Sequence, residues 1–387
     1  MKKKRNLKIL WSSNSPFSTS GYGQQMAEIL PLLKKGGWKQ AVSAFYGLEG
    51  ASIMHKGIKL YPKIANPYGD DAMLHHSKDY GADCVISLQD IWVLDINILS
   101  QLKNWIPIIP IDQDPIPQAI YDRAKLAYRI ITMSKFGQKQ LENKGMMSTY
   151  IPNTVDTTIF KPMDKIACKL ALNLKPDTFL FGMVAANKDL PPRKSFQEVL
   201  DAFKIFHDAH PNSAMYFHTL LQQQGGFPIA DYANYLGLNG AINFMDPYQQ
   251  MFKVGKSDMA KIINSFDCLL SPSASEGFGV PIIEAQSCGV PVIVNRFTSM
   301  PELVVENKSG YICEVATKRW TALNSYFGIP DVKSLYDCME KVYAVDRIEM
   351  GKAGRLNAQT NYDSKVVYDT MYLPFLEKIQ DEILSDA

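Results

Sequence analysis

Short apolar runs alternate with amphipathic stretches along almost the whole chain, the pattern of parallel strands joined by crossover helices. In the first half these runs predict strands over residues 8–12, 40–46, 84–88, 105–111, 129–133 and 149–151, with helices between them. A Pro-bearing segment, residues 152–162, interrupts the alternation, and beyond it the pattern resumes. Strands are predicted there over 179–185, 214–218, 268–271, 291–294 and 311–314, and helices over 195–209, 257–265 and 281–288. The last stretch, 364–384, has helical periodicity and is expected to kink at Pro374, which removes one amide and crowds the preceding turn.

This pattern predicts an α/β protein of two Rossmann-like, doubly wound domains. The expected division is an N-terminal domain over 1–160, a C-terminal domain over 161–362 and a terminal helix over 363–387. Open parallel sheets bind ligands at the carboxyl ends of their strands, so the expected site is a cleft that both domains face. The length of 387 residues agrees, because a single core stops growing well before it.

Composition narrows the function classes. With 46% hydrophobic and 21% charged residues, the chain is not disordered. Its 41 Lys plus Arg against 39 Asp plus Glu supply no strong field for nucleic acid or an anionic membrane. No stretch approaches the roughly 20 apolar residues of a transmembrane helix. The basic start, residues 2–5, precedes too short an apolar region for a signal peptide, so a cytoplasmic location is expected. The six cysteines are scattered without Cys-x-x-Cys spacing and read as reduced, packed thiols.

The most informative segment runs from Ser271 to Ala285, SPSASEGFGVPIIEA. A buried strand ends at Ser271, a loop with Gly277 and Gly279 follows, and Pro281 occupies a favoured first helical position. Exposed amides at such a helix start form an anion site, and the glycines let a phosphate approach the backbone. Glu276 and Glu284, beside that site, suit sugar or ribose hydroxyls; equally, Glu284 is a solvated helix residue and the glycines make a tight turn. Upstream, Gly21-Tyr22-Gly23 follows the first predicted strand, a common loop type, and Tyr22 either stacks on a ring or packs. Asp112 and Asp114 follow another strand end and either face the cleft or cap the next helix; Ser134 reads as a helix cap. Adjacent His75 and His76 point about 100° apart on a helix, while His55, His207 and His210 read as surface residues. No set of His, Cys and carboxylates has metal spacing, so no metal is expected.

Glu276-Gly277-Phe278-Gly279 followed by Glu284 resembles the E-x7-E signature of retaining, GT-B fold glycosyltransferases, in particular the group called family 4. The flanks resemble that group too: Pro291-Val292-Ile293 after Gly289, Pro301-Glu302-Leu303-Val304, and the stretch from Asn307 to Tyr311. Asn153, Val155, Asp156 and Phe160 resemble its interdomain motif, with Thr154 in place of the usual Gly. The resemblance implies that Glu276 holds the donor sugar's hydroxyls, Glu284 the nucleotide ribose, and the amides of Gly277, Phe278, Gly279 and Val280 the diphosphate or sugar. Gly21 and Gly23 correspond to the glycine loop over donor phosphate and acceptor, and Asp112 to a position near the reacting sugar. The group's Gly-Arg strand end is replaced by Ala185-Ala186; Lys194 best matches its Lys, and Arg193 supplies a second cation. Together these two would concentrate positive charge for a diphosphate within a near-neutral chain. The terminal helix resembles the segment that crosses back onto the N-terminal domain in this fold.

The activity implied is transfer of a hexose from a nucleotide-diphosphate sugar, UDP-glucose first, to a hydroxyl acceptor with retention, and with no cofactor or metal. The acceptor is a glycan or, as the resemblance to a prokaryotic and viral subgroup allows, a hydroxymethylated DNA base. Lys253, Lys256 and Lys318-Arg319-Trp320 either touch a nucleic-acid backbone or are solvated surface. A sugar-nucleotide epimerase on the same fold and a non-catalytic sugar-nucleotide binder are the alternatives. The sequence leaves oligomeric state open.

Overall fold

A computed structural model of the chain describes residues 7–189, 191–220, 225–252 and 254–385; the basic residues 2–5 and Lys253 lie outside the described residues. Two compact units result. The first comprises Met1–Ile111, Pro115–Thr154 and Ser364–Ala387, the second Asp112–Asp114 and Val155–Asp363. The division therefore falls at Thr154 and Val155, inside the Pro-bearing segment, and three residues of the first half pack with the second unit.

The first unit holds β1 (Lys8–Asn14), β2 (Lys39–Tyr46), β3 (Ile53–His55), β4 (Ile58–Tyr61), β5 (Cys84–Leu88), β6 (Trp105–Ile109), β7 (Ile131–Thr132) and β8 (Thr149–Tyr150). They form one sheet in the order β3-β4-β2-β1-β5-β6-β7-β8, parallel except where β3 pairs with β4. Strands β5 and β6 are buried at every residue, which explains why their sequences are apolar apart from Ser87. The β3–β4 hairpin was not legible in the sequence. Its strands are too short to show alternation, and its two-residue turn, Lys56 and Gly57 at φ 48° and 71°, lacks the usual Asn-Gly or Asp-Gly signal.

The second unit repeats the plan with β9 (Phe179–Val184), β10 (Ser213–His218), β11 (Ile242–Phe244), β12 (Cys268–Ser271), β13 (Val292–Asn295) and β14 (Gly310–Cys313). All are parallel, in the order β11-β10-β9-β12-β13-β14. The strand order reverses between β9 and β12, as it does between β1 and β5, and such a reversal opens a crevice at the strands' carboxyl ends. An antiparallel pair, β15 (Val315–Trp320) and β16 (Tyr326–Pro330), follows. Thr317 through Trp320 are exposed, so no buried face imprinted a period on that sequence.

The second unit's core is aromatic. Phe181, Phe196, Phe203, Phe206 and Phe217 are fully buried, and the rings of Phe181 and Phe206 meet edge to face at 5.1 Å. Gly182 makes room for this packing, because a Cβ there would lie 2.2 Å from the Phe266 ring.

The terminal segment is irregular just before Pro374. Helix Ser364–Val367 widens into a π-helical turn over Tyr368–Tyr372, and helix Leu373–Ser385 continues from it. Pro374 has no amide for the carbonyl four residues back, and the wider turn, in which Leu373 N–H donates to Tyr368 C=O, takes up the mismatch.

Phe203→Ala should leave a cavity that its neighbours cannot close. Urea unfolding of the full chain is expected to show a loss of about 3–5 kcal/mol.

Candidate active site

In the second unit the loop after β9 carries Arg193 and Lys194, and the loop after β12 carries Glu276, so the strand-order reversal sets the two loops side by side. Backbone bonds hold them in register: Ala274 N–H donates to Arg193 C=O at 2.8 Å, and Gly328 N–H of β16 donates to Ala274 C=O at 2.9 Å. Buried Asn295 donates its side-chain amide to the carbonyls of Ser273 and Gly328, at 3.0 and 2.7 Å. Ser299 Oγ donates to the carbonyls of Glu276 and Phe278, and Glu276 N–H donates to Thr298 Oγ1 at 3.2 Å. A serine-rich loop can be fixed this way because each short hydroxyl bonds a nearby backbone group.

The side chains then converge on one carboxylate. Lys194 Nζ pairs with Glu276 Oε1, which also accepts from Ser273 Oγ at 2.7 Å. Arg193 Nη1 donates to Ser275 C=O at 2.6 Å and lies 3.3 Å from Glu276 Oε2. Burial pushes the Glu276 carboxyl up, but the Lys194 and Arg193 charges outweigh it and hold it down at about 2. Burial also lowers the Lys194 ammonium below the ordinary lysine value, Arg193 adds to that, and Glu276 opposes it.

Asp112 joins the same cluster. Its carbonyl accepts from Ser275 Oγ, and its carboxylate lies 4.0 Å from Arg193 Nη1. It does not cap the next helix, Gln118–Ala124, which starts from Pro117 without a side-chain cap. Asp114 N–H and C=O pair with Tyr326 of β16, and Gln113 Oε1 accepts from Thr321 Oγ1 at 2.7 Å, so the hairpin holds the segment bearing Asp112. Asp189 stands 3.9 Å from Arg193 Nε. Two cations thus face the carboxylates of Glu276, Asp112 and Asp189 within 4.0 Å. The expected concentrated positive site is therefore charge-compensated in this structure.

Beyond Glu276 the chain enters helix Val280–Ser287 through Gly279, whose φ of 110° is closed to side chains and which offers no capping group. Among the described residues, the amides of Gly277, Phe278, Gly279 and Val280 donate to no protein acceptor, and they stand at the positive end of the helix. Glu284 lies on this helix with 8% of its surface exposed, so it is not the solvated residue that the sequence also allowed.

Gly21 and Gly23 belong to the first unit, at the start of helix Gly21–Lys35 after β1. The Gly23 amide is already taken by Ser20 Oγ, the helix cap, and a Cβ there would strike Ser18 Oγ and the Ser15 carbonyl at 2.1 and 2.8 Å. Gly21 is exposed, and Tyr22 OH donates to Asp90 across the β1–β5 reversal at 3.3 Å. Ser134 caps its helix through the Gly137 amide, as expected. His76 is buried, bonded to Ser43 Oγ at 2.9 Å and stacked on Tyr61. Ser273, Ser275, Thr298, Ser299 and Asn295, which build the site, were not assigned roles from the sequence; their only signal is polar residues beside buried strand ends. Among the described residues no group of three His, Cys, Asp or Glu has the geometry to hold a metal, and no helix is long and apolar enough to cross a membrane.

Residues 172–327, which contain Arg193, Lys194, Glu276 and Glu284, match the family described as glycosyl transferases group 1. A D-inositol 3-phosphate glycosyltransferase of Segniliparus rotundus is 28% identical over 216 residues, 55% of this chain and 44% of that protein. The chain thus matches less than half the length of this curated relative. Sucrose-phosphate synthase of Thermosynechococcus elongatus superposes with a TM-score of 0.76 at 16% identity, covering 97% of this chain and 99% of that one. Anabaena Alr3699/HepE, solved in complex with UDP-glucose, superposes with a TM-score of 0.68 at 15% identity, covering 96% and 99%. The chain has a two-domain, GT-B-like α/β fold with parallel sheets, and the match to the glycosyl transferases group 1 family lies within its second unit.

The depressed Glu276 carboxyl has a definite pH signature. Its folded value near 2 lies below the ordinary 4.5, so its stabilisation is present above about 4.5 and is lost as pH falls toward 2. Thermal midpoints should therefore fall more steeply between pH 5 and pH 2 for the natural protein than for Glu276→Gln.

Proposed function

We propose that the protein is a retaining, metal-independent glycosyltransferase, similar to family 4, that moves a hexose from a nucleotide-diphosphate sugar to a hydroxyl acceptor. The observation that carries this reading is the Arg193–Lys194–Glu276 cluster at the β9–β12 reversal, beside the uncapped helix start at Gly279, inside the matched segment. Spacing supports it as well, since Glu276 and Glu284 keep the E-x7-E interval.

The roles follow from charge. The donor diphosphate takes Arg193 and Lys194 as its partners in place of the carboxylates that now compensate them, with the amides of residues 277–280 completing its cradle. As the bond to the leaving phosphate breaks, negative charge grows where these desolvated donors point, which is the effective place for electrostatic stabilisation. Glu276, ionised at neutral pH and partly released from its cations, accepts hydrogen bonds from the sugar's hydroxyls; Glu284 does so for the ribose. Asp112, pinned through its backbone, orients its carboxylate toward the reacting sugar. The leaving phosphate oxygen takes the acceptor's proton, so no protein base is required.

UDP-glucose is the first donor to test, and a structural neighbour was solved with it. The acceptor is a glycan hydroxyl or a hydroxymethylated DNA base. Trp320 stands 55% exposed beside Lys318, but Lys318 pairs with Asp114 at 3.3 Å, which favours the glycan. A cytoplasmic location fits the six cysteines, all buried and unbridged.

Nucleotide release from UDP-, GDP- and ADP-sugars by the full chain tests this reading. Lys194→Ala and Glu276→Ala should each lower turnover by about 100-fold or more, with the product keeping the donor's anomeric configuration. Unchanged turnover in both variants would remove the site assignment. Free sugar formed at the same rate with and without acceptor would favour the epimerase, and no release from any donor the non-catalytic binder.

A further inference from the structure

The first unit has a cavity of its own, about 370 Å³, where helix Gly21–Lys35 meets the β3–β4 hairpin. Met26, Leu30 and Pro31 of the helix and Ile58 and Leu60 of β4 form an apolar floor and walls. Its rim is cationic: Lys34, Lys35 and Lys56 line it, and no Asp or Glu does. Lys34 is committed, since its Nζ donates to the Lys56 carbonyl at 2.5 Å and ties the hairpin turn to the helix. Lys35 and Lys56 are exposed and have no ion-pair partner among the described residues.

The neighbouring surface is apolar too. Phe17 is 46% exposed with its ring edge against His55, a lining residue, and Met54 on β3 is 67% exposed. A pocket of this size is within the range of small-ligand sites, and its walls suit a hydrocarbon far better than a sugar. Two uncompensated ammonium groups at the mouth of an apolar cavity select a ligand whose charge is negative and sits at one end.

We propose that this cavity binds a free, single-chain amphiphile with an anionic head, its alkyl chain against Met26, Leu30 and Leu60 and its phosphate or carboxylate at Lys35 and Lys56. The site is built entirely from the first unit and does not depend on the reading of Glu276 and Lys194.

Calorimetric titration of the full chain with monomeric dodecyl phosphate tests it, with dodecanol, dodecyltrimethylammonium and phosphatidylglycerol vesicles as comparisons. One dodecyl phosphate should bind per chain, and shortening its chain by two methylenes should weaken it about tenfold. The surface double variant Lys35→Glu, Lys56→Glu should weaken dodecyl phosphate at least tenfold and leave dodecanol unchanged, while Ala27→Phe, which fills the cavity, should abolish both. Equal binding of the trimethylammonium compound, unchanged binding in the double variant, or binding to vesicles but not to the monomer would overturn the proposal.

Discussion

A buried carboxylate must be paired, and Glu276 is the residue on which the second unit's loops depend. Leaving it uncompensated at 12% side-chain exposure would be costly, so the chain around it is arranged to bring Lys194, Arg193 and Ser273 to its oxygens. Those partners come from the loops after β9 and β12, the two strands that flank the reversal of strand order. The ion pair therefore does for the loops what hydrogen bonds do for the strands. Buried ion pairs contribute little net stability, and this one acts by fixing geometry: it decides where two cations and a helix start stand relative to each other.

That arrangement has a cost and a use. Two cations held against three carboxylates present little net charge to an approaching anion, which agrees with the chain's near-neutral total of +2. They are, however, already out of bulk water. Under the proposed function, a phosphate that displaced the carboxylates would meet donors already largely desolvated, where a given charge interaction is worth more than it is at the surface. The serines and the threonine under the loop are part of this, since Ser273, Ser275, Thr298 and Ser299 leave the loop little freedom to collapse when a carboxylate is released.

Much of the fold was legible because parallel strands buried on both faces read as unbroken apolar runs, and β5 and β12 appear in the sequence with the boundaries seen in the structure. The elements that escaped are β3, β4, β11, β15 and β16: β3, β4 and β11 span only three or four residues, too few to show a period, and most of β15 is exposed. The irregularity expected at Pro374 rested on the local rule for proline in a helix; the form it takes, a π-helical turn with Tyr368 and Tyr372 buried, was not legible. In the site, residues with unusual spacing were found, while the hydroxyls that hold them were not, because a serine bonded to a backbone carbonyl looks like any other loop serine.

By itself the amino-acid sequence determined the class: two α/β units, a glycine-interrupted helix start after a buried strand, and two glutamates eight residues apart. These depend on local propensity and periodicity, which neighbours along the chain set. Only the tertiary structure decided that Arg193 and Lys194 are compensated rather than bare, that Glu284 is buried, and that Asp112 packs with the second unit. Each of these involves partners tens to hundreds of residues apart, or burial by elements that sequence spacing does not encode. Charge state and exposure belong to the folded surroundings, and the chemistry of this site depends on both.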